Sequence, residues 1–173
     1  ILDRIYSIFR NIFEEIILVT THPMDYIQYN VIIATDLFSK RSSLTGLHSG
    51  LYYASNFHSF FTACDTPFLE EKLIQSLIRQ IEPGLDALVP ETSEGFEPLF
   101  AVYSKNCLNP IESQILRNDL KVTGFFPKVR TKIFRENKLR EADPDLHSFF
   151  NINTPEDLAV AEKLARQLDA GGL

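Results

Sequence analysis

Cysteine is scarce in this chain: only Cys64 and Cys107 are present, with no Cys-x-x-Cys spacing and no His-Cys cluster. A disulfide framework and a structural zinc site are therefore both unsupported, and a reducing cytoplasm is the expected setting. Long hydrophobic runs are missing too. No stretch approaches the ~20 continuous apolar residues of a membrane-spanning helix, and the first residues alternate charge with hydrophobe instead of forming a signal-peptide core. Basic charge is in deficit: 17 Lys and Arg against 23 Asp and Glu leave a net charge of -6. That balance argues against a nucleic acid held by its phosphates and against an anionic membrane surface. Nor is there a Ser-His-Asp or Cys-His arrangement, because His22, His48, His58 and His147 are scattered. Internal repeats, linkers and low-complexity tracts are absent as well.

What remains is 173 residues, 45% of them apolar, which is enough for one domain, 1–173, with its own core. Ile1, Leu2, Ile5, Ile8, Phe9 and Ile12 share one helical face, so the chain opens in an amphipathic helix. Residues 15–20 form a continuous apolar run suited to a parallel strand covered on both faces, and residues 30–35 repeat the pattern and end at Asp36. Helices are expected over 69–80, 109–118 and 120–126. Strands are expected over 86–90, 98–103, 128–134 and, last, Ser148 to Phe150, with residues 91–97 as a turn. Thr154, Pro155 and Asp157 read as an N-cap, a Pro at the first helical position and an acidic first turn, opening a helix to Leu168 with Gly171 and Gly172 fraying. Strands and helices alternate throughout, which specifies an α/β fold of three layers, α/β/α and Rossmann-like, around a mostly parallel sheet.

The candidate for chemistry is the stretch Phe60-Phe61-Thr62-Ala63-Cys64-Asp65-Thr66-Pro67-Phe68. An apolar run ends in a carboxylate, a Pro-containing turn follows, and a helix comes next. In an open α/β sheet ligands bind beyond the carboxyl ends of the strands, so Asp65 faces a site, where its expected partner is a divalent cation carried in with phosphate; the alternative is that Asp65 only caps the following helix. Asp36, a second acid at a strand end, opens onto the same edge if the strands are parallel. Between them lie Thr45, Gly46, Ser49 and Gly50. Glycine in a helix costs up to ~1 kcal/mol relative to alanine, so either the backbone approaches a ligand or another element closely there, or the packing is loose. Arg117, Lys121, Lys128, Arg130, Lys132 and Arg135 gather in one late segment, read as a solvated strand face or as a contact for a small phosphorylated substrate.

Thr62 to Phe68, with Leu44-Thr45-Gly46 before it and Phe150-Asn151-Ile152-Asn153-Thr154-Pro155-Glu156-Asp157-Leu158 near the end, resembles the molybdenum cofactor guanylyltransferases. The likeness extends over nearly the whole chain. It implies the nucleotide-diphospho-sugar transferase type of fold and transfer of GMP from Mg-GTP to the terminal phosphate of molybdopterin, with release of pyrophosphate. By position it implies Mg²⁺ at Asp65, nucleotide contacts at Asp36, Asp65, Thr21 and Gly46, and pterin contacts at Asn151, Asn153 and Pro98. It also implies hand-over to molybdoenzyme acceptors or their chaperones. The rivals are a CTP-dependent or other small-molecule nucleotidyltransferase of the same fold, and a non-catalytic molybdopterin-binding adaptor. Three departures stand out. The family's glycine-rich phosphate loop and first strand, expected ahead of the opening helix, are not in this sequence. Thr21 stands where many relatives carry Asn, and Ser42-Ser43 replaces a frequent Gly-Pro.

Overall fold

The structure is a computed structural model that describes residues 1–171. Chain order is α1 (Leu2–Ile12), β1 (Ile17–Val19), β2 (Ile32–Ala34), α2 (Ser43–Tyr53), β3 (His58–Thr62), α3 (Glu71–Ile78), β4 (Ala87–Thr92), β5 (Gly95–Phe96), β6 (Phe100–Ser104), α4 (Leu108–Leu116), β7 (Thr131–Arg135), α5 (Glu136–Leu139) and α6 (Pro155–Gly171). Short 3₁₀ turns occupy Pro23–Tyr26, Lys105–Cys107, Val122–Lys128 and His147–Phe149. Gly172, expected to fray, lies outside the described residues, and among those described no helix is long and apolar enough to cross a membrane.

Period-2 alternation builds the three layers. Ala87 and Val89 of β4, with Ala101 and Tyr103 of β6, turn to one face and pack under Leu44, Leu47 and Leu51 of α2, Ile111 of α4 and Phe125. Leu88, Phe100 and Val102, the residues between them, turn to the other face, against Ile5 of α1 and Leu73, Ile74 and Leu77 of α3. Each face of the sheet thus meets its own helices, and the three-layer α/β expectation holds.

The sheet is less parallel than expected. β1 pairs with β2 in parallel, and β7 with β4, but β3 and β4 both run antiparallel to β6, and β5 folds back on the end of β4. Order across the larger sheet is β3, β6, β4, β7. The reversal follows from connection length. Only Ser93 and Glu94 separate β4 from β5, and a parallel return needs a crossover of a dozen residues or more. The turn expected over 91–97 is accordingly a hairpin, with Gly95 at φ +129°.

Among the described residues the two sheets are not joined. β1 pairs only with β2 and β3 only with β6, and a groove of about 490 Å³ lies between the free edges, lined by residues 16–19 on one side and 58–64 on the other. Its floor includes Gly46 and Gly50 of α2. Ser42 starts that helix with a reciprocal cap: its Oγ accepts from Thr45 N–H at 3.2 Å while Thr45 Oγ1 accepts from Ser42 N–H at 3.0 Å. The expected close approach is at Gly50, where an added Cβ would lie 2.6 Å from the Phe61 ring.

The expected strand over Ser148 to Phe150 is not one. Leu146 sits in the left-handed region at φ 56°, and His147–Phe149 is a 3₁₀ turn. Asp143 is the cause. This buried carboxylate accepts from His147 N–H at 3.0 Å and Ser148 N–H at 2.8 Å, so those donors are satisfied locally and have no need of a strand partner. Ser148 Oγ in turn accepts from Glu70 N–H at 2.9 Å, tying the turn to the start of α3. Hydrogen bonds to a charged group contribute about 1.5–3 kcal/mol each, so Asp143→Ala should lower unfolding free energy by about 3 kcal/mol in urea titrations. An unchanged midpoint would show that the turn is held by something else.

Candidate functional site

β3 ends at Thr62, and the chain turns over Ala63, Cys64 and Asp65 before α3. The turn closes through Thr66, whose Oγ1 donates to Ala63 O at 2.8 Å and lies 3.1 Å from Thr62 Oγ1. Asp65 does not cap α3, which starts six positions later at Glu71 without a side-chain cap. Its Oδ1 is buried and meets no hydrogen-bond partner among the described residues. An unsatisfied buried carboxylate oxygen costs free energy, which makes it a candidate to hold something else.

Asp65 lines a cavity of about 200 Å³ together with Glu97, Pro98, Phe149 and Asn151. Three of the expected site residues therefore share one space. Ile152 N–H donates to Asp65 O at 3.0 Å, which holds the Asn151 to Asn153 segment against the Asp65 turn. Asn153 lines an adjoining cavity of about 520 Å³, which shares Glu97, Phe149 and Asn151 with the smaller one. The backbone of Asn153 is fixed by Asp157, whose Oδ2 accepts from Asn153 N–H at 3.0 Å and from Thr154 N–H at 2.8 Å, while Asp157 N–H donates to Thr154 Oγ1 at 3.1 Å. These bonds hold the Asp157 carboxyl below the usual aspartate range, and they confirm the N-cap expected at Thr154.

The nucleotide candidates other than Asp65 lie elsewhere. Gly46 lines the groove between the sheets, where its Cα–H face is open toward Asp36 Oδ1, 4.0 Å from an added Cβ. Asp36 follows β2, and its Oδ1 is likewise buried without a partner among the described residues. Ala63 lines both this groove and the Asp65 cavity, so the two regions adjoin, but Asp36 and Asp65 share none of the three cavities and their strands belong to separate sheets. Thr21 lines neither this groove nor the two cavities beside Asn151; its hydroxyl lies 3.0 Å from His22 Nδ1 on an exposed turn. In the late basic segment none of the basic residues lines these cavities, and three of them are paired: Arg130 and Lys132 with Glu82, and Arg135 with Glu91. Its reading as a solvated strand face is the one the geometry supports.

Glu97 was missed in the sequence. Burial pushes its carboxyl above the usual glutamate range, with Thr92 opposing through a hydrogen bond and the charge of Glu94 adding to the rise. The one available signal was an acid directly before Pro98, a residue already singled out. As for the metal, Mg²⁺ commonly takes only one or two carboxylates and completes its shell with substrate phosphates and water, so the free oxygen of Asp65 fits that group.

Residues 1–127 match the family model described as the MobA-like NTP transferase domain. The molybdenum cofactor guanylyltransferase of Desulfosudis oleivorans is 42% identical over 161 residues, covering 93% of this chain and 80% of that one. A probable molybdenum cofactor guanylyltransferase of Natranaerobius thermophilus is 37% identical, over 88% of this chain and 77% of its own length. Among solved structures, molybdopterin-guanine dinucleotide biosynthesis protein A from Archaeoglobus fulgidus superposes with a TM-score of 0.81 at 27% identity, covering 94% of this chain and 84% of that one. A 4-diphosphocytidyl-2C-methyl-D-erythritol synthase from Anaerococcus prevotii, at 14% identity and a TM-score of 0.63, shares the fold.

Burial raises the pKa of Asp36, and Arg41 opposes the rise only in part. The folded value lies above the unfolded value of about 3.9, so the ionised carboxylate costs stability at every pH above the folded pKa, and the cost vanishes below the unfolded one. Asp36→Asn should therefore melt at a higher temperature than wild type at pH 7, with the gap closing as pH falls toward about 3.9. A variant that melts lower at pH 7 would show that Asp36 supports the fold.

Proposed function

Since this chain belongs to the MobA-like NTP transferase domain family, we propose that it is a molybdenum cofactor guanylyltransferase, joining GMP from Mg-GTP to the terminal phosphate of molybdopterin and releasing pyrophosphate. The observation that carries the reading is the convergence of Asp65, Pro98 and Asn151 on one cavity, with the 151–153 segment bonded to the backbone of Asp65. Asp65, Pro98 and Asn151 come from three separate segments of the chain, and the fold brings all three to the wall of one cavity.

A phosphate oxygen attacks the α-phosphorus in line, the bond to the bridging oxygen breaks, and pyrophosphate leaves with that oxygen. This demands positioning and charge neutralisation and no protein nucleophile. Magnesium, when bound, neutralises the phosphate oxygens of both substrates. Asp65 offers its free Oδ1 as the protein's ligand to the ion. Asn151 and Asn153 each present a donor and an acceptor, suited to the pterin, and Pro98 gives the smaller cavity an apolar wall. Asp36 and Gly46 take the nucleotide from the α2 side, with Thr21 at its margin.

The groove between β1 and β3 belongs to the same reading. Two free strand edges face each other there, and one further strand laid between them would satisfy both and make a single sheet. In this reading 1–173 belongs to one nucleotidyltransferase domain, with Gly46 and Ala63 of the groove beside the phosphates. The product then passes, in the cytoplasm, to molybdoenzyme acceptors or their chaperones.

The test is pyrophosphate release by the natural full-length protein supplied with molybdopterin, Mg²⁺ and either GTP or CTP. GTP should be preferred, and Asp65→Asn should lower kcat by more than about 100-fold while leaving the circular dichroism spectrum and melting temperature of the fold unchanged. Preference for CTP would overturn the guanylyl assignment, and unchanged turnover of Asp65→Asn would overturn the metal role.

A further inference from the structure

The buried Oδ1 of Asp65 meets no partner among the described residues, so the place of that oxygen depends on the backbone beneath it. Two neighbours fix that backbone. From outside the turn, Ile152 N–H donates to Asp65 O at 3.0 Å. From within it, the hydroxyl of Thr66, a residue only 4% exposed, donates to Ala63 O at 2.8 Å across Cys64 and Asp65. A hydroxyl has one proton, and Thr66 gives it to Ala63 O, so in the 3.1 Å contact between Thr66 Oγ1 and Thr62 Oγ1 it is Thr62 that donates. Thr62 is also the last residue of β3 paired with β6, opposite Phe100. The sheet thus fixes Thr62, Thr62 bonds to Thr66, and Thr66 closes the turn in which Asp65 stands. Thr66 borders the Asp65 cavity, but its proton is spent inside the turn and none is left for a ligand.

Resting on the transferase reading above, we propose that Thr66 is a positioning residue for the metal-binding carboxylate: its hydroxyl holds the 63–66 turn closed and so sets where the free oxygen of Asp65 stands when magnesium and nucleotide phosphate arrive. Mg²⁺ is exacting about that place, because it takes oxygens at about 2.0–2.1 Å in near-octahedral geometry. A carboxylate that is one of its few protein ligands has to be held within about 0.5 Å of the productive position before the ion binds. The bond from Ile152 holds Asp65 at its carbonyl oxygen alone, a single point about which the carboxylate can still swing. Thr66 supplies the second point. Without its hydroxyl, Ala63 O keeps only the long 3.4 Å approach of Thr62 Oγ1. A carbonyl left so poorly satisfied turns toward water in the groove that Ala63 also lines, and Asp65, two residues on, moves with it.

Thr66→Val keeps the branched shape and removes the hydroxyl, whereas Thr66→Ser keeps the hydroxyl and removes the methyl group. The quantity to measure is the affinity of the natural full-length protein for a non-hydrolysable GTP analogue, by calorimetry, with Mg²⁺ and again in EDTA; the ratio of the two is what the metal contributes. Thr66→Val should lower that ratio about fivefold, the value of one hydrogen bond, while Thr66→Ser stays within about twofold of wild type. Affinity in EDTA should be the same in all three proteins, which shows that the variants are folded. Thr66→Ala, which also lacks the hydroxyl, is measured alongside, so that a folding defect peculiar to valine leaves the comparison standing. A threonine that only supports the fold would lower the melting temperature on substitution without moving the ratio, and an unchanged ratio in Thr66→Val and Thr66→Ala would overturn the proposal. An equal loss in Thr66→Ser would overturn it too, by assigning the effect to packing. If Mg²⁺ adds nothing to the affinity of wild type, the metal role of Asp65 fails and the proposal with it. A wild type that gains from Mg²⁺ yet releases no pyrophosphate refutes only the transferase reading, and the ratio still decides the role of Thr66.

Discussion

The hydrogen bond from Ile152 N–H to Asp65 O, 3.0 Å long, is the constraint on which the rest of the site depends. It joins the end of β3 to the segment that opens α6, two pieces of chain that no strand pairing connects. Without it Asp65 would terminate an edge strand and Asn151 would sit in an unattached loop. With it, a carboxylate with a buried free oxygen and two amide side chains border one continuous space. The bond is backbone to backbone, so side-chain substitutions in the site leave it in place, and chemistry can be removed without removing architecture.

Two local devices protect that arrangement. On one side Asp143 holds the His147–Phe149 turn and, through Ser148, ties it to α3. On the other, Thr154 and Asp157 satisfy the first donors of α6 and of Asn153. The 151–153 segment is thus clamped at both ends by carboxylates spending their charge on backbone N–H groups, while Asp36 and Asp65 each keep a buried oxygen free of protein partners. Carboxylates committed to structure are distinguishable from those with an unpartnered oxygen by where their hydrogen bonds go.

Much of this could be read from residue order. The helical spacing of residues 1–12 gave α1, the Thr-Pro-Glu-Asp signal gave the start of α6, and an acid just past an apolar run gave Asp65, because each rests on a period or cap confined to a few residues. What failed was long-range or degenerate. Phe100 to Val102 are buried on both faces, so β6 reads the same whether it runs parallel or antiparallel, and only the two-residue link between β4 and β5 betrayed the reversal. Ser148 to Phe150 looked like a strand because two phenylalanines sit side by side, yet Asp143, five residues before Ser148, takes the N–H groups a strand would have used. Glu97 carried only the weak local signal of an acid before Pro98: what sets it apart is burial beside cavities built from the turn after β3, the β5–β6 link and the segment after α5, a tertiary property that spacing does not encode.

The claim at the centre is that the free oxygen of Asp65 is a metal ligand shared with nucleotide phosphate. Manganese can replace magnesium and be located directly by anomalous X-ray scattering in crystals of the natural full-length protein grown with Mn²⁺ and a non-hydrolysable GTP analogue. The account predicts an anomalous peak about 2.1 Å from an Asp65 carboxylate oxygen, bridging to phosphate. A peak bound to phosphate but remote from Asp65, with the Asp65 carboxylate still unpartnered, would contradict it.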